Sequence, residues 1–401
     1  MRHSPSDLKP VDRHLADILA TVRPLAPLEL DLERALGAVL AEDVTAPVDL
    51  PPFDNSAMDG YAVVAADLAN APVTLPVTED VAAGDPLVRA IGPGLTARIM
   101  TGAPLPAGAD AVVPVEYTDG GTANVVVHKQ VERGNAIRRA GEDVRVGDVV
   151  LAEGTRIGAA QVGMLASVGR RRVLVRPVPR VAVLSTGAEL AEPGTPLGYG
   201  QIWESNSFML AAAVREAGGE AFRVGSVTDD PRVFMETLDA QLVRADAVIT
   251  SGGVSMGAYE PVKEGLSPLG TVRFEKVAMQ PGMPQGFGVV GDDQIPIFTL
   301  PGNPVSSYVS FVLFVRPALR QMQGLPVSPP ASVRAVCTDR LRSPRGRRSY
   351  LRAVLTGDRV TPARGQGSHQ LAALAAADAL IVVPEDVTEV PEGTTVEVIP
   401  L

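Results

Sequence analysis

The most constraining feature of the sequence is an alternation of short apolar strands and helical segments, which begins after the basic stretch GRRRVLVRPVPR. Strand-like runs such as VAVL, ADAVIT and IPIFTL are separated by helix-like runs such as NSFMLAAAVREAG and PRVFMETLDAQLV. Apolar strands that are joined by helices form a largely parallel sheet with helices on both faces. Residues 177–323 are therefore predicted to fold as a doubly wound α/β domain.

Four of the predicted strands end in loops of small and polar residues. In an open parallel sheet the ligand crevice lies beyond the carboxyl ends of the strands, and glycine lets an anion approach backbone N–H groups. We therefore expect the four loops to form one phosphate-binding edge. Capping of the next helix remains the alternative for any single loop, above all for the Asp229-Asp230-Pro231 turn. The loops are Ser185-Thr186-Gly187 with Glu189, Thr228-Asp229-Asp230-Pro231, Ser251-Gly252-Gly253 with Ser255, and Pro301-Gly302-Asn303-Pro304 with Ser306.

The rest of the chain predicts two helices and two β-rich regions. Leucines at every fourth position predict a helix over residues 28–40, and IGAAQVGMLASVG predicts another over residues 157–169. Short valine-rich runs broken by Gly, Pro and Asp predict a β domain between these helices and a second one at the C-terminal end. The predicted domains are a discontinuous connecting and dimerisation domain at 1–50 and 143–176, an inserted β domain at 51–142, the α/β domain at 177–323 and a barrel-like β domain at 324–401.

Composition and spacing argue against several classes of function. A net charge of −10 disfavours binding to nucleic acid through the overall field. The sequence shows neither an apolar segment long enough to span a bilayer nor a secretory leader, and its single cysteine, Cys337, cannot form an intrachain disulfide, so we expect a cytoplasmic protein without a membrane partner. The four dispersed histidines indicate no zinc site. A hard cation on oxygen ligands such as Glu189, Asp229 or Glu260 is feasible.

Two nucleotide-binding motifs are also excluded. The stretch GFGVVG at residues 286–291 has the spelling of a dinucleotide fingerprint, but it lies in strand-like sequence with no helix after it. No lysine follows a glycine in a Walker arrangement. The sequence therefore predicts phosphate binding without the signature of a dinucleotide-dependent enzyme or a P-loop hydrolase.

Six segments, spread in order over nearly the whole chain, carry a family resemblance. They are PPFDNSAMDGYA, RIMTGAPLPAGADAVVPVE, GNAIRRAGEDV, LSTGAEL, TSGGVSMG and TLPGNPVSS. Together they resemble the molybdopterin molybdenumtransferase family, which is related to the E domain of gephyrin. The resemblance implies an elongated four-domain homodimer, with a cleft between the α/β domain of one subunit and the inserted β domain of its partner. It also implies insertion of molybdate, as a substrate, into adenylylated molybdopterin, with release of AMP and a requirement for Mg²⁺. The preceding adenylyltransferase and the acceptor molybdoenzymes become candidate partners.

Position by position, the resemblance implies a set of site residues. Asp59 and Thr101 would reach the site from the inserted domain, and Lys276 would counter the phosphate charge. The residues implied to act in catalysis are Asp59, Thr101, Glu189, Asp229, Glu260 and Lys276, of which Glu189, Asp229 and Glu260 would hold Mg²⁺. The residues implied to bind substrate are Asn206, Asp230, Ser251, Gly252, Gly253, Ser255, Pro284, Gly302, Asn303, Ser306, Arg352 and Ser368. Molybdate would enter near Asn303, Ser306, Arg352 and Ser368.

Three positions depart from the family pattern. Glu260 stands where the family commonly has Asp, and Gln280 and Met283 stand where it commonly has lysines. One added methylene moves a carboxylate by about 1.5 Å, and a lost ammonium forfeits an attraction on the order of 4 kcal/mol to an anion 4 Å away. Two alternatives to an active transferase therefore stay open: a catalytically weakened pterin-binding or scaffold paralogue, and a molybdopterin adenylyltransferase. Residues 51–61 and the last domain disfavour the adenylyltransferase.

Overall fold

The computed structural model describes residues 8–253, 261–327 and 330–401. These residues divide into two compact units. The major unit joins the chain up to Ala41 with Val173–Leu401, and the minor unit is Glu42–Arg172. Within the described residues, no helix is both long enough and apolar enough to cross a membrane. The boundaries of the four-domain division stay predictions.

The N-terminal part of the major unit contains one helix and two short strands. Its elements are α1 (Val11–Thr21), β1 (Leu28–Asp31) and β2 (Val39–Leu40). The helix predicted over residues 28–40 is therefore wrong. Leu36 is exposed, Gly37 has a left-handed φ of 83°, and both strands pair with the segment Arg172–Arg176. The segment forms strands instead of a helix because a helix of this length is marginally stable in water without a buried apolar face.

The minor unit is mainly β structure. Its elements are β3 (Val44–Thr45), β4 (Asn55–Ser56), β5 (Gly60–Val63), β6 (Val73–Val81), β7 (Thr96–Ile99), β8 (Ala111–Pro114), β9 (Asn124–Val127), β10 (Ile137–Arg138), β11 (Val149–Leu151) and α2 (Ala159–Ser167). A five-stranded sheet in the order β8-β5-β7-β6-β9 forms its centre. Tyr61 belongs to one apolar cluster and Ala62 to a second, so β5 is buried on both faces. The small β domain and the helix predicted for this part of the chain are confirmed.

The central part of the major unit alternates strands and helices. Its elements are β12 (Arg172–Arg176), β13 (Arg180–Thr186), β14 (Leu190–Ala191), β15 (Ile202–Trp203), α3 (Asn206–Glu216), β16 (Glu220–Val227), α4 (Pro231–Leu242), β17 (Ala247–Ser251), α5 (Pro261–Leu266), β18 (Val272–Lys276), β19 (Met279–Gln280), β20 (Pro284–Val290), β21 (Ile295–Leu300), α6 (Pro304–Ser310) and α7 (Arg316–Met322). A π-helical turn, Phe311–Val315, joins α6 to α7.

Six of these strands form one sheet in the order β16-β13-β17-β21-β20-β18. The first four strands run parallel, and the pairings of β20 with β21 and β18 are antiparallel. Val183 packs in an apolar cluster with α1, α3 and α6, whereas its neighbour Leu184 packs in another with α4 and α5. Alternate side chains of β13 are thus buried on opposite faces, which confirms the predicted doubly wound α/β fold.

The C-terminal part of the major unit is a closed barrel. Its elements are β22 (Val333–Cys337), β23 (Leu341–Arg342), β24 (Arg348–Thr356), β25 (Arg359–Pro362), α8 (Leu371–Ala375), β26 (Ala379–Val383), β27 (Glu389–Val390) and β28 (Thr395–Pro400). Five strands close in the order β24-β25-β22-β28-β26, because β26 also pairs with β24. Strand β19 adds to β24, so the chain between β18 and β20 belongs to both the sheet and the barrel. The predicted C-terminal β domain is confirmed.

Candidate active site

The predicted phosphate-binding loops follow strands that end at one edge of the six-stranded sheet. Strands β13, β16, β17 and β21 are parallel, and their C-terminal ends lie side by side: Thr186 pairs with Val227, Ser185 with Ser251, and Ser251 with Leu300. The antiparallel strands β18 and β20 bring Lys276 and Pro284 to this same edge, where the two residues are paired. The edge therefore gathers chain segments from all six strands, as the strand-end argument predicts.

Asn206 ties three of these segments together from the start of α3. Its side-chain amide donates hydrogen bonds to the Ser251 hydroxyl and to the Gly302 carbonyl, each at 2.7 Å. The Ser251 hydroxyl also lies 3.3 Å from that of Ser307. The Asn206 Oδ1 atom is buried, and no described residue donates to it. Asn206 thus fixes two of the predicted loops and keeps one acceptor for a further donor.

The two adjacent glycines after β17 adopt a backbone that only glycine adopts readily. Gly252 and Gly253 have φ values of 95° and 67°. A Cβ atom on Gly252 would lie 2.6 Å from the Thr186 carbonyl oxygen, and one on Gly253 would lie 2.6 Å from a methyl group of Val262. The Gly252 amide donates to the carbonyl of Leu300 at 3.1 Å. Both close packing and conformation therefore require glycine here.

The acidic residues of the edge divide into two kinds. Asp230 is the N-cap of α4 and accepts a hydrogen bond from the Arg232 amide at 2.8 Å, so the capping interpretation holds for this residue. Asp229 instead reaches across to the neighbouring loop and accepts from the Ala188 amide at 3.0 Å. The Glu189 carboxylate lies over Gly187: a Cβ atom on Gly187 would be 2.6 Å from one of the carboxylate oxygens. Asp229 and Glu189 therefore border the same short loop.

This acidic pair fits a magnesium ion that is shared with a substrate. Mg²⁺ is usually held by one or two protein carboxylates together with phosphate oxygens and water. Asp229 and Glu189 are suited to that role, whereas the described part of the chain contains no group of three or more His, Cys, Asp or Glu side chains that could hold a metal by itself. Glu260 and Ser255, which were predicted to act here, lie outside the described residues.

A loop of the barrel contacts the sheet domain at the start of α6. The Asn303 side-chain amide donates to the Ser368 hydroxyl at 2.9 Å, and the Val305 amide donates to the Ser368 carbonyl at 3.1 Å. Ser306, in the first turn of α6, is buried. The residues predicted at the molybdate end therefore come from two distant parts of the sequence and meet at this contact.

Arg352 lies behind the same barrel loop and is fully buried. One of its terminal nitrogens donates to the carbonyls of Gly365 and Gly367, at 2.7 and 3.2 Å. Its Nε and other terminal nitrogen have no hydrogen-bond partner among the described residues. Burial lowers the pKa of Arg352, because the charged form loses solvation. The two unpartnered nitrogens are donors of the kind that bind oxyanions, but they are covered in this structure, so an oxyanion could reach them only after the surrounding chain moves.

Gln280 and Met283, the two departures from the family pattern, lie in the connector between β18 and β20. Gln280 is exposed and pairs with Ser349 of the barrel strand β24. The Met283 carbonyl accepts a hydrogen bond from the Val277 amide at 2.7 Å. The positions at which the family commonly has lysines therefore lie on the segment that joins the two halves of the major-unit site.

Asp59 and Thr101 form a pair within the minor unit. Asp59 Oδ1 accepts from the backbone amide of Thr101 at 2.7 Å and from its hydroxyl at 2.8 Å. These two hydrogen bonds lower the pKa of Asp59, the backbone one most. The following residue, Gly60, has no room for a Cβ atom, which would lie 2.0 Å from the Val113 carbonyl oxygen. Asp59 and Thr101 are therefore in direct contact with each other, and the role in the site that the resemblance implies for them stays a prediction.

Three family profiles match successive parts of the chain. They are described as MoeA N-terminal region (domain I and II), over residues 9–169, probable molybdopterin binding domain, over residues 182–321, and MoeA C-terminal region (domain IV), over residues 334–401. A Mycobacterium tuberculosis protein named molybdopterin molybdenumtransferase 2 is 48% identical over 98% of this chain and 99% of its own length. The chain belongs to the MoeA family. The family resemblance of the six segments is thereby confirmed.

Other MoeA relatives match over most of their length. The Haemophilus influenzae protein named molybdopterin molybdenumtransferase is 36% identical over 92% of this chain and 93% of its own. The crystal structure of the molybdopterin biosynthesis MoeA protein from Pyrococcus horikosii superposes with a TM-score of 0.80 at 33% identity, covering 98% of this chain and 99% of that one. The overall fold is therefore that of MoeA proteins.

Sequence reasoning missed Glu204, and it named Thr186 only as part of a predicted loop. Glu204 is buried, and its carboxylate accepts from the Ser185 hydroxyl at 2.8 Å and from the amide and hydroxyl of Ser207 at 2.7 and 2.5 Å. The Thr186 hydroxyl is buried against the Gly252-Gly253 pair and has no partner among the described residues. An acidic residue just before a helix start was the available signal for Glu204, but only the fold shows that it anchors a strand end.

Proposed function

We propose that this protein inserts molybdenum from molybdate into adenylylated molybdopterin and releases AMP. The observation that carries the proposal is the direct contact between two kinds of binding surface. The sheet edge offers glycines, hydroxyls and amides suited to a diphosphate ester, and the barrel offers the buried Arg352 with two unpartnered nitrogens. The names of the relatives support the molybdenum and molybdopterin part of the proposal.

In this proposal the protein acts mainly by positioning and by electrostatic stabilisation. The Ser251-Gly252-Gly253 loop and Asn206 hold the phosphates, and Lys276 counters their charge. Arg352 holds the tetrahedral molybdate. Water adds across the phosphoanhydride between AMP and molybdopterin phosphate, which leaves two phosphate monoesters. Two bonds form between molybdenum and the dithiolene sulfurs while one Mo–O bond breaks, and that oxygen leaves as water with the two thiol protons.

Glu189 and Asp229 are the residues that we propose to hold Mg²⁺ at the phosphate end. When bound, Mg²⁺ would supply positive charge to phosphate oxygens during cleavage. The positions of both carboxylates beside one loop support this assignment. A chelator tests this assignment: AMP release should stop when the chelator is added and resume when Mg²⁺ is restored. The Asp229→Asn variant should need a higher Mg²⁺ concentration to reach half of its maximal rate.

The decisive experiment is an assay of AMP release from adenylylated molybdopterin. The purified chain should release AMP only when molybdate and Mg²⁺ are both present, and sulfate should not replace molybdate. AMP release without molybdate dependence, or none above background, would reject the proposal. An assay with ATP and unadenylylated molybdopterin tests the adenylyltransferase alternative. If that alternative holds, adenylylated molybdopterin should accumulate.

We also propose that Asp59 and Thr101 act on the site of a partner subunit in a homodimer. The family resemblance and the preformed Asp59–Thr101 pair support this part of the proposal. Mixing two inactive variants tests it. Asp59→Asn and Arg352→Ala subunits, unfolded and refolded together, should regain activity, because heterodimers contain one intact composite site. If both residues act within one subunit of the pair, the mixture should stay inactive.

A further inference from the structure

Three chain segments are joined by backbone hydrogen bonds where the sheet meets the barrel. The Lys9 amide donates to the Lys276 carbonyl at 2.8 Å, and the Ala278 amide donates to the Lys9 carbonyl at 2.8 Å. The Ala278 carbonyl in turn accepts from the Arg348 amide at 2.9 Å. We call this set of contacts the junction ladder. It runs from the end of β18 to the start of β24.

The junction ladder connects the two ends of the proposed site. Lys276 is the last residue of β18, at the phosphate edge. Arg348 is the first residue of β24, the barrel strand that also carries Arg352. A rigid ladder therefore fixes where the phosphate-end cation and the oxyanion-end cation lie relative to each other.

The side chain of Lys9 anchors the ladder to the sheet and to α1. Its ammonium lies 2.5 Å from a Glu275 carboxylate oxygen and 2.7 Å from one of Asp17. The same Glu275 oxygen lies 3.2 Å from Nδ1 of His14. His14 is buried, and its ring meets that of Phe314 edge-on at 4.8 Å between centroids. Charge-assisted contacts in a partly buried cluster hold a defined geometry better than exposed ion pairs do.

Apolar packing between α1 and the barrel is incomplete. A cavity of about 490 Å³ lies there, lined by α1 residues such as Leu15 and barrel residues such as Tyr350. Atoms that line a cavity lack partners on one side, so they fix relative position weakly. Across this gap Arg348 donates two hydrogen bonds to the carboxylate of Asp12, at 2.8 and 2.9 Å. Polar contacts therefore add to the apolar cluster that α1 shares with the barrel and help to set the position of α1.

From these contacts we propose that Lys9 is a positioning residue, which holds Lys276 and Arg352 at the separation that the reaction requires. The inference rests on the proposed function for its kinetic consequence. Lys9 itself does not touch substrate in this proposal. It acts through the backbone of Lys276 and Ala278, and Asp12 assists through Arg348.

The kinetic test compares Lys9→Met, Lys9→Arg and the control Arg13→Ala. Arg13 is an exposed residue of α1 that pairs with Asp17 of the same helix, so its loss removes a neighbouring charge and leaves the contacts of Lys9 in place. Lys9→Met should lower kcat for molybdate-dependent AMP release by about tenfold to a hundredfold, since misplacement by about 1 Å can cost that much. KM values should stay within about threefold, Lys9→Arg should regain most of the rate, and Arg13→Ala should match the unmodified chain. The stoichiometry of AMP binding, which counts folded sites, should not change.

A second measurement tests the ladder without any ligand. In Lys9→Met, hydrogen exchange of the Ala278 and Arg348 amides should be at least tenfold faster than in the unmodified chain. Lys9→Met with unchanged kcat, or with a lower kcat that only follows a loss of AMP-binding sites, overturns the inference. If the unmodified chain releases no AMP, the proposed function fails. The ladder is then tested by hydrogen exchange alone, and unchanged exchange of the Ala278 and Arg348 amides in Lys9→Met overturns the inference.

Discussion

The sheet edge and the barrel end of the candidate site differ in the groups that they offer to an anion. At the sheet edge the groups nearest the diglycine are neutral, and Asn206, Ser251 and Gly302 already hydrogen-bond one another. At the barrel end a single full charge, Arg352, is buried with two nitrogens unpartnered. In the proposed function, binding at the edge would therefore be shared by several donors and Lys276, whereas binding at the barrel would depend on one group. Substitutions at the two ends should differ in both size and kind.

The largest effect is expected for Arg352→Met. Loss of the one buried cation should lower kcat/KM for molybdate by about a hundredfold to a thousandfold, as for removal of a single donor to a developing anion. AMP affinity should stay within about twofold, since in the proposed function AMP binds at the sheet edge and not at Arg352. The melting temperature should hold or rise, because an unpaired buried charge is replaced by an apolar chain.

Arg345→Ala is the matched control for this change. Arg345 is an exposed arginine of the same barrel, so its loss should leave kcat/KM for molybdate within about twofold. An Arg352→Met enzyme that keeps more than a tenth of the activity would show that the barrel end, like the sheet edge, distributes its binding over several groups.

Gly252→Ala should have the next largest effect, at the opposite end of the site. The added methyl group would lie 2.6 Å from the Thr186 carbonyl oxygen, so the loop must move. We expect the AMP dissociation constant to rise by about tenfold to a hundredfold, and the free energy of unfolding to fall by about 1 to 3 kcal/mol. Titration calorimetry with AMP and urea unfolding measure the two quantities.

Gly270→Ala separates close packing from backbone strain. Gly270 also has a positive φ, of 72°, but a Cβ atom there meets nothing within 4 Å. This variant should lose some stability and no AMP affinity. Equal AMP binding by Gly252→Ala and Gly270→Ala would mean that the diglycine only shapes the turn.

A smaller gain is expected when two lysines are restored. The double variant Gln280→Lys, Met283→Lys should bind molybdate about tenfold more tightly, because two ammonium groups are added to the connector between the sheet edge and the barrel. Gln130→Lys, at an exposed position of the minor unit, is the control for an added charge. Equilibrium dialysis with molybdate measures the affinities. If the double variant also releases AMP much faster, the result would favour the weakened-paralogue alternative. If its affinity for molybdate is unchanged, Arg352 is sufficient for molybdate binding without the two lysines.

The smallest effect concerns the minor unit and is a shift in pH dependence. Thr101→Val removes the hydroxyl that donates to Asp59 but keeps the backbone donor. The hydroxyl helps to lower the pKa of Asp59, so that pKa should rise in Thr101→Val. As the pH falls, activity that needs the Asp59 carboxylate should then be lost at a higher pH than in the unmodified chain. Profiles of kcat/KM between about pH 4 and 8 would show the shift. Thr118→Val, a control in the same unit, should leave the acid limb in place.

Sequence reasoning was most successful where the chemistry follows from local order along the chain. Strand ends in a parallel sheet must share an edge, so the loops at Ser185, Asp229, Ser251 and Gly302 could be grouped before any coordinates. The same local logic failed for residues 28–40, because the strand that pairs with them comes more than 130 positions later and periodicity contains no information about it.

Contacts between distant segments were beyond the sequence for the same reason. The meeting of Asn303 with Ser368 spans 65 positions, and spacing alone does not bring them together; only the family resemblance linked them. Glu204 shows a second limit. Its carboxylate is buried and accepts three hydrogen bonds, but the sequence alone does not distinguish it from a glutamate on the surface. Only the residues that surround it in the fold do so.

The hydrogen bonds of Lys9 also bear on unspecific strand pairing between chains. Strand β18 is the outermost strand of the sheet on its side, and such a strand offers unpaired backbone groups to any passing strand. The bridge from Lys9 to Val277 occupies the end of that border. Proteolytic removal of the chain through Pro10 should therefore expose a template for intermolecular β pairing, and the trimmed protein should aggregate faster as its concentration rises.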